Sequence, residues 1–259
     1  WLLEAGMKLH TKCEIGKDKA ISELEEEFDG IFLGIGSTKS NSIKIDGSNA
    51  SNVHFAIDFL TGLQKRNLGN KNVSYIDVAD KKVVVIGGGD TAMDCVRTSV
   101  REGAASVKCL YRRDEANMPG SKKEVVNAKE EGVEFVFNVS PKSIKLENDL
   151  AVAVELLETS MSEDDSSGRQ KVVINEGSEY LEDADIIILA LGFSPEVPAF
   201  LKELNVETNS WGAVVIDSKF KTSNKKVYAG GDCQRGAHLA VTAAVDGREA
   251  AKAIIKNLL

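Results

Sequence analysis

The chain has 259 residues, 42% hydrophobic and 28% charged, which is enough for one large or two medium globular domains. A net charge of −8 with no long basic run argues against nucleic acid and anionic membrane surfaces as partners. No apolar stretch approaches the roughly 20 residues of a membrane span, and the expected location is cytoplasmic.

Residue 1 is Trp rather than Met, so the expectation is an internal piece of a longer protein or a processed product. The first strong element is Phe28-Asp29-Gly30-Ile31-Phe32-Leu33-Gly34-Ile35-Gly36-Ser37, an apolar run that leaves through glycine after the acidic stretch Glu23 to Glu27. Val53 to Leu63 reads as an amphipathic helix, with Val53, Ile57 and Leu60 spaced i, i+4, i+7. A Gly/Asn/Lys-rich connector, Arg66 to Asn72, follows.

Lys82 to Ala92 (KVVVIGGGDTA) carries the most information. A β-branched run stops at three glycines and a helical pattern begins, with Gly87-x-Gly89-x-x-Ala92 in the register of a dinucleotide-binding turn. Gly87 suits a tight turn. Gly89 leaves room for a pyrophosphate, and Ala92 lets the helix lie close on the strand. Gly88, Asp90 and Thr91 complete the turn and the helix N-terminus, whose unpaired N–H groups suit phosphate. That helix is expected over 90–102, ending at Gly103.

The next strand, Val107 to Tyr111, ends in Arg112-Arg113. An arginine fork there suits the 2′-phosphate of NADP(H). Asp114 and Glu115 follow at once and fit the ribose hydroxyls of NAD(H) instead. Pro119 is expected to open a helix running to Gly132, followed by an alternating strand over Val133 to Phe137. Residues 142–182 read as a β-meander with a polar loop from Ser160 to Gly168, expected to be functionally silent.

Ala184 to Phe193 (ADIIILALGF) repeats the pattern of 28–37, again after an acidic stretch, Glu176 to Glu182. The two runs are read as closing strands of two similar nucleotide-binding domains; buried parallel strands also share this composition by default. Only the second copy has its opening glycine motif in the chain. Gly192, at the strand exit, is placed where a nicotinamide approaches the carboxyl edge of the sheet. Lys226 to Asp232 (KVYAGGD) then delivers Asp232 toward a long helix expected from Ala237 to Leu258. Asp232 suits a flavin ribityl contact or a plain N-cap, and His238 reads as a capping or surface residue. Cys13, Cys95, Cys109 and Cys233 form no CxxC pair, which fits a reducing compartment and argues against a thioredoxin-reductase-type dithiol. Cys95 and Cys109 are expected to be buried as small apolar groups.

Four runs, VVVIGGGDTAMDCVRTSVREGA (83–104), YRRDEANMPGSKKEVVNAKEEGVEF (111–135), ADIIILALGFSPE (184–196) and YAGGDCQRGAHLAVTAAVDGREAA (228–251), resemble the pyridine-nucleotide-dependent flavin oxidoreductases with two dinucleotide-binding domains. Within them the similarity is to the small (β) subunits of bacterial NADPH-dependent glutamate synthases, and it runs across nearly the whole chain. The fold implied is α/β, with two Rossmann-like three-layer domains, the FAD-binding one incomplete at its N-terminus. Residues 1–63 would be part of the FAD-binding domain, 64–195 the NADP(H)-binding domain, and 196–259 the return segment of the first.

The resemblance implies NADPH at Gly87, Gly88, Gly89, Arg112 and Arg113. FAD would lie at Gly36, Gly231, Asp232, Ala240 and Val241, held in the full-length protein and poorly or not at all by this chain alone. Electrons would leave through iron–sulfur clusters to a large glutamate synthase subunit or another acceptor. No catalytic side chain and no metal ligand is singled out, because hydride transfer between the two cofactors needs no protein acid or base. The alternatives are an NADPH–ferredoxin oxidoreductase-type subunit, a selenate- or formate-linked reductase partner, and a non-catalytic NADP(H)-sensing module.

Overall fold

The computed structural model describes residues 2–164 and 170–259. In chain order the first elements are α1 (Ile21–Glu27), β1 (Ile31–Leu33), β2 (Lys39–Ser40), β3 (Val53–Phe55), α2 (Ala56–Asn67), β4 (Lys82–Ile86) and α3 (Asp90–Arg101). Then come β5 (Ser106–Tyr111), α4 (Lys122–Glu130), β6 (Glu134–Phe137), β7 (Val139–Glu147), β8 (Leu150–Asp164), β9 (Gln170–Ile174), β10 (Tyr180–Asp183) and β11 (Ile186–Leu189). The last are β12 (Phe193–Ser194), α5 (Phe200–Glu203), β13 (Val227–Ala229), α6 (Asp232–Arg235) and α7 (Ala240–Leu258). Two compact units form, one from residues 1–39 with 193–259 and the other from residues 40–192. Residues 40–63, expected with the first segment, belong to the second unit.

In the second unit β4 sits in a parallel sheet of order β3-β11-β4-β5-β6. Its valines explain the layering. Successive strand residues face opposite sides, so Val83 and Val85 join Phe59, Ala92, Val96 and Ala128 in a core beneath α2, α3 and α4. Val84 and Ile86 turn the other way and pack with Val139, Ile144, Val154 and Leu156 of the antiparallel strands. The third layer is therefore the antiparallel sheet β10-β8-β7, with β9 paired to β8.

Several expected boundaries shift, each for an identifiable reason. Val53 to Phe55 form a strand, because Ile187 to Leu189 of β11 take them as parallel partners. The buried face of α2 is Ala56, Phe59 and Leu63, while Ile57 is exposed. Helix α4 begins at Lys122, since the preceding backbone is bound to the glycine turn. Strand β8 runs through Ser160 to Asp164, expected as loop, because β9 pairs with it from Ile174 to Gln170. Residues 165–168, the rest of that expected loop, lie outside the described residues. The acidic stretches before the two repeats also differ, one being helix α1 and the other turn and strand β10.

Arg97 of α3 binds α4 and its cap, pairing with Glu124 and, at 2.6 Å, with Glu131, which also takes Arg101 at 2.7 Å. The Arg97 and Arg101 hydrogen bonds hold the Glu131 carboxyl down to about 2. A lowered carboxylate stabilises the fold above its unfolded value of about 4.3 and loses that contribution as pH falls toward 2. Arg97→Met should therefore flatten the decline of Tm between about pH 4.5 and 2. An acid limb identical to wild type in pH-resolved thermal melts would show that the pair carries no linkage.

In the first unit β1 runs parallel to β13, pairing Ile31 with Val227 and Leu33 with Ala229. Its core includes Ile21, Leu33, Leu201, Leu204, Val227 and Ala229. The expected 237–258 helix starts at Ala240. Gly236 takes a φ of +89 after the short helix α6, and Leu239 becomes the N-cap of α7. Cys95, Cys109 and Cys233 are buried and Cys13 is exposed, all as free thiols.

Candidate functional site

The glycine turn between β4 and α3 is built by three different contacts. A Cβ on Gly87 would lie 2.2 Å from the Ala190 carbonyl oxygen, and its φ is +149, so the strand exits of β4 and β11 meet only if this residue is glycine. A Cβ on Gly88 would lie 2.4 Å from the Tyr111 ring. A Cβ on Gly89 meets nothing within 4 Å. Gly89 is the N-cap of α3, and the N–H groups of Gly89, Asp90 and Thr91 donate to nothing among the described residues. Open space above unpaired donors at a helix start is what a phosphate requires.

The turn opens on a cleft of about 570 Å³ within the second unit. Gly87, Gly88, Gly89 and Thr91 line it, with Tyr111, Arg112 and Arg113 on one side and Ala190, Leu191 and Gly192 on another. Pro119, Ser140 and Pro141 add to the wall. The expected nucleotide residues Gly87–Gly89, Thr91, Arg112, Arg113 and Gly192 thus come together. Two others do not line the cleft. Ala92 is fully buried in the core, as its packing role requires, and the Asp90 carboxylate accepts the Ser121 N–H at 2.7 Å. With the Gly120 N–H on Gly88 O at 3.0 Å, that bond pins the 112–121 loop over the turn.

Neither Arg112 nor Arg113 has an ion pair among the described residues, and the Arg113 Nε is buried without a partner. A buried unsatisfied guanidinium donor costs about 1–3 kcal/mol unless something meets it. The acids that would favour NAD(H) are occupied elsewhere. Asp114 Oδ1 accepts the Asn117 N–H and Nδ2 at 2.9 Å, and Glu115 pairs with Lys129 at 2.7 Å. Cys109 sits beneath the turn and donates its Sγ–H to Gly87 O at 3.3 Å. Burial pushes that thiol up to about 12, so it stays protonated.

In the first unit Gly36 (φ +71) faces open space, and Gly231 (φ +74) donates its N–H to Asp246 Oδ2 at 2.8 Å. Asp232 is the first residue of α6 and accepts the His238 N–H at 3.2 Å, so it does not cap α7. His238 Nδ1 lies 3.1 Å from Thr242 Oγ1, a local contact at the start of α7. Ala240 and Val241 open that helix and are exposed. Asp246, which sequence reasoning missed, is buried and pairs with Arg235, tying the Gly230-Gly231 turn to α7. Its only sequence signal was a charged residue on the buried side of an apolar helix.

The sequence profile of the pyridine nucleotide-disulphide oxidoreductase family matches residues 5–247. The small chain of NADPH glutamate synthase from Escherichia coli K12 is 43% identical over 261 residues, 98% of this chain and 55% of that protein. The NADPH-Fe(3+) oxidoreductase subunit beta of Geobacter sulfurreducens is 32% identical over 276 residues, 98% of this chain and 40% of that one. The chain spans about half the length of these curated relatives or less. Among solved structures, Mycobacterium tuberculosis FprA in complex with NADPH superposes with a TM-score of 0.77 at 17% identity, covering 95% of this chain and 67% of that chain. That likeness concerns the fold.

Proposed function

The chain belongs to the pyridine nucleotide-disulphide oxidoreductase family, and from that premise we propose that its second unit binds NADPH for an electron-transferring flavoprotein of the glutamate synthase small-chain type. One observation carries the coenzyme choice: two arginines with no ion pair among the described residues share a cleft with a side-chain-free phosphate cradle, while the neighbouring acids are bound elsewhere. In the proposal Gly89 and the start of α3 receive the pyrophosphate, and Arg112 and Arg113 receive the 2′-phosphate. A Cβ added to Gly192, whose φ is +79, would meet only Asn41 Nδ2 within 4 Å, so the residue leaves room at the sheet's carboxyl edge. A bound reduced nicotinamide supplies a hydride and a flavin accepts it. The protein's part is to place and exclude, so no side chain is assigned a proton. Gly36, Gly231, Asp232, Ala240 and Val241 remain the residues proposed for FAD.

The whole protein would pass electrons through iron–sulfur clusters to a large glutamate synthase subunit in the cytoplasm, where glutamate is made. A second reading keeps the NADPH site and changes the acceptor. It is favoured by the 32% identity to a subunit named for NADPH-dependent Fe(3+) reduction. Among the described residues no helix is long and apolar enough to cross a membrane. Calorimetry of the full chain with NADP+ and NAD+ tests the coenzyme assignment. At least a tenfold preference for NADP+ is expected, and equal affinities would overturn it.

A further inference from the structure

Four polar or charged side chains are buried among the described residues: Ser99, Thr159, Thr222 and Asp246. Three serve their own surroundings. Ser99 Oγ donates to Cys95 O one turn back at 2.8 Å, Thr222 Oγ1 to Val227 O at 2.8 Å, and Asp246 accepts Gly231 N–H. Thr159 is different. Its hydroxyl reaches from β8 to a residue distant in sequence and donates to Arg112 O at 3.0 Å.

We propose that Thr159 is a positioning residue for coenzyme specificity, holding the peptide between Arg112 and Arg113 so that both guanidinium groups stay available to a 2′-phosphate. The inference rests on the reading of the cleft as an NADPH site. The Arg112 carbonyl belongs to the peptide that joins the two arginines, so fixing it sets ψ of one and φ of the other. The next carbonyl is fixed as well, since Arg113 O accepts the Asn138 N–H at 3.1 Å. Thr159 closes the arrangement by donating its own N–H to Asn138 O at 2.7 Å. Asn138 takes a φ of +57, turning the chain from β6 into β7.

Two consecutive carbonyls of the arginine pair are thus docked on one corner of the antiparallel layer. That layer also supplies Ser140 and Pro141 to the cleft wall. Arginine recognises phosphate through a planar fork with fixed directions. A fork at the end of a long side chain amplifies any rotation of its backbone, and a binding group must be held within about 0.5 Å and 10–20° to act. Among the described residues Thr159 makes no hydrogen bond to the glycine turn itself, so its loss should fall on the 2′-phosphate rather than on the pyrophosphate.

Thr159→Val keeps the shape and removes the donor. In calorimetry on the full chain it should weaken NADP+ about tenfold and leave NAD+ within about twofold. Thr159→Ser restores the hydroxyl and should keep the wild-type NADP+/NAD+ ratio. If Thr159→Val does not fold, Thr159→Cys, with its weak donor, should lower the ratio on its own. An unchanged ratio in the valine or cysteine variant overturns the proposal, as does an equal loss for both coenzymes, which would make Thr159 a packing residue. If Arg112→Ala with Arg113→Ala abolishes the wild-type preference and Thr159→Val does not, this inference fails while the NADPH reading stands. A wild-type chain without preference sinks both.

Discussion

Replacing Arg112 and Arg113 together by alanine is expected to weaken NADP+ binding by about 3 kcal/mol, roughly a hundredfold in Kd, and to leave NAD+ within about twofold. The two should not contribute equally. Arg112 is exposed, so water competes for its bonds and its share is the smaller, about 1 kcal/mol. Arg113 is half-buried with an unmet Nε, so a phosphate there replaces no ion pair among the described residues and its share is nearer 2 kcal/mol. Arg113→Lys keeps the charge and loses the fork, and should fall between wild type and alanine.

The same buried donor predicts a stability signature. Without ligand, Arg113→Ala removes an unsatisfied group, so Tm should hold or rise. With saturating NADP+, wild type gains stability through ligand linkage and the double variant gains little. Thermal melts with and without NADP+ and NAD+ would decide. Equal losses for both coenzymes would show that the arginines support the fold or the pyrophosphate and not the 2′-phosphate.

The glycine turn was legible because its determinants are local. A β-branched run, three glycines and an amphipathic helix lie within twenty residues, and each sits where its short-range chemistry puts it. The arginine pair was legible for the same reason, being a strand end. What could not be read depends on contacts distant in sequence. Val53 fits helical spacing with Ile57 and Leu60, yet Val53 to Phe55 become strand because β11 lies beside them. Pro141 masked the start of β7, since proline is disfavoured in a ladder; the register shift between Pro141 and Ser143 accommodates it. Ser160 to Asp164 look like loop and are strand through β9. The engagement of Asp90 by Ser121 and of Arg112 by Thr159 left no trace in spacing or composition. Asp114 and Glu115 kept the NAD(H) alternative open in sequence, and only their bonds to Asn117 and Lys129 show them occupied.

Gly87 and Gly89 look equivalent in the motif and should fail in opposite ways. Gly87→Ala places a methyl 2.2 Å from a backbone carbonyl at a φ of +149, and neither the Ala190 strand exit nor the β4 exit can yield without disturbing the parallel pair β4–β11. Strain and overpacking together should cost about 2–4 kcal/mol, lowering Tm by roughly 6–12 °C. Gly89→Ala meets no atom, and its φ of −89 and ψ of −179 suit any residue. Its stability cost is that of a poorer helix cap, about 1 kcal/mol or less.

The methyl of Gly89→Ala would instead stand in the space proposed for the pyrophosphate. Affinity for NADP+ and NAD+ should fall together, by roughly tenfold or more, because both carry that group. The contrast separates architecture from binding within a single turn. Melting curves and calorimetry on the two variants suffice. A Gly89→Ala chain that is stable and still binds NADP+ like wild type would mean that the open space above α3 is not the phosphate site. A Gly87→Ala chain as stable as wild type would mean that the approach of β4 to Ala190 is looser than the geometry requires.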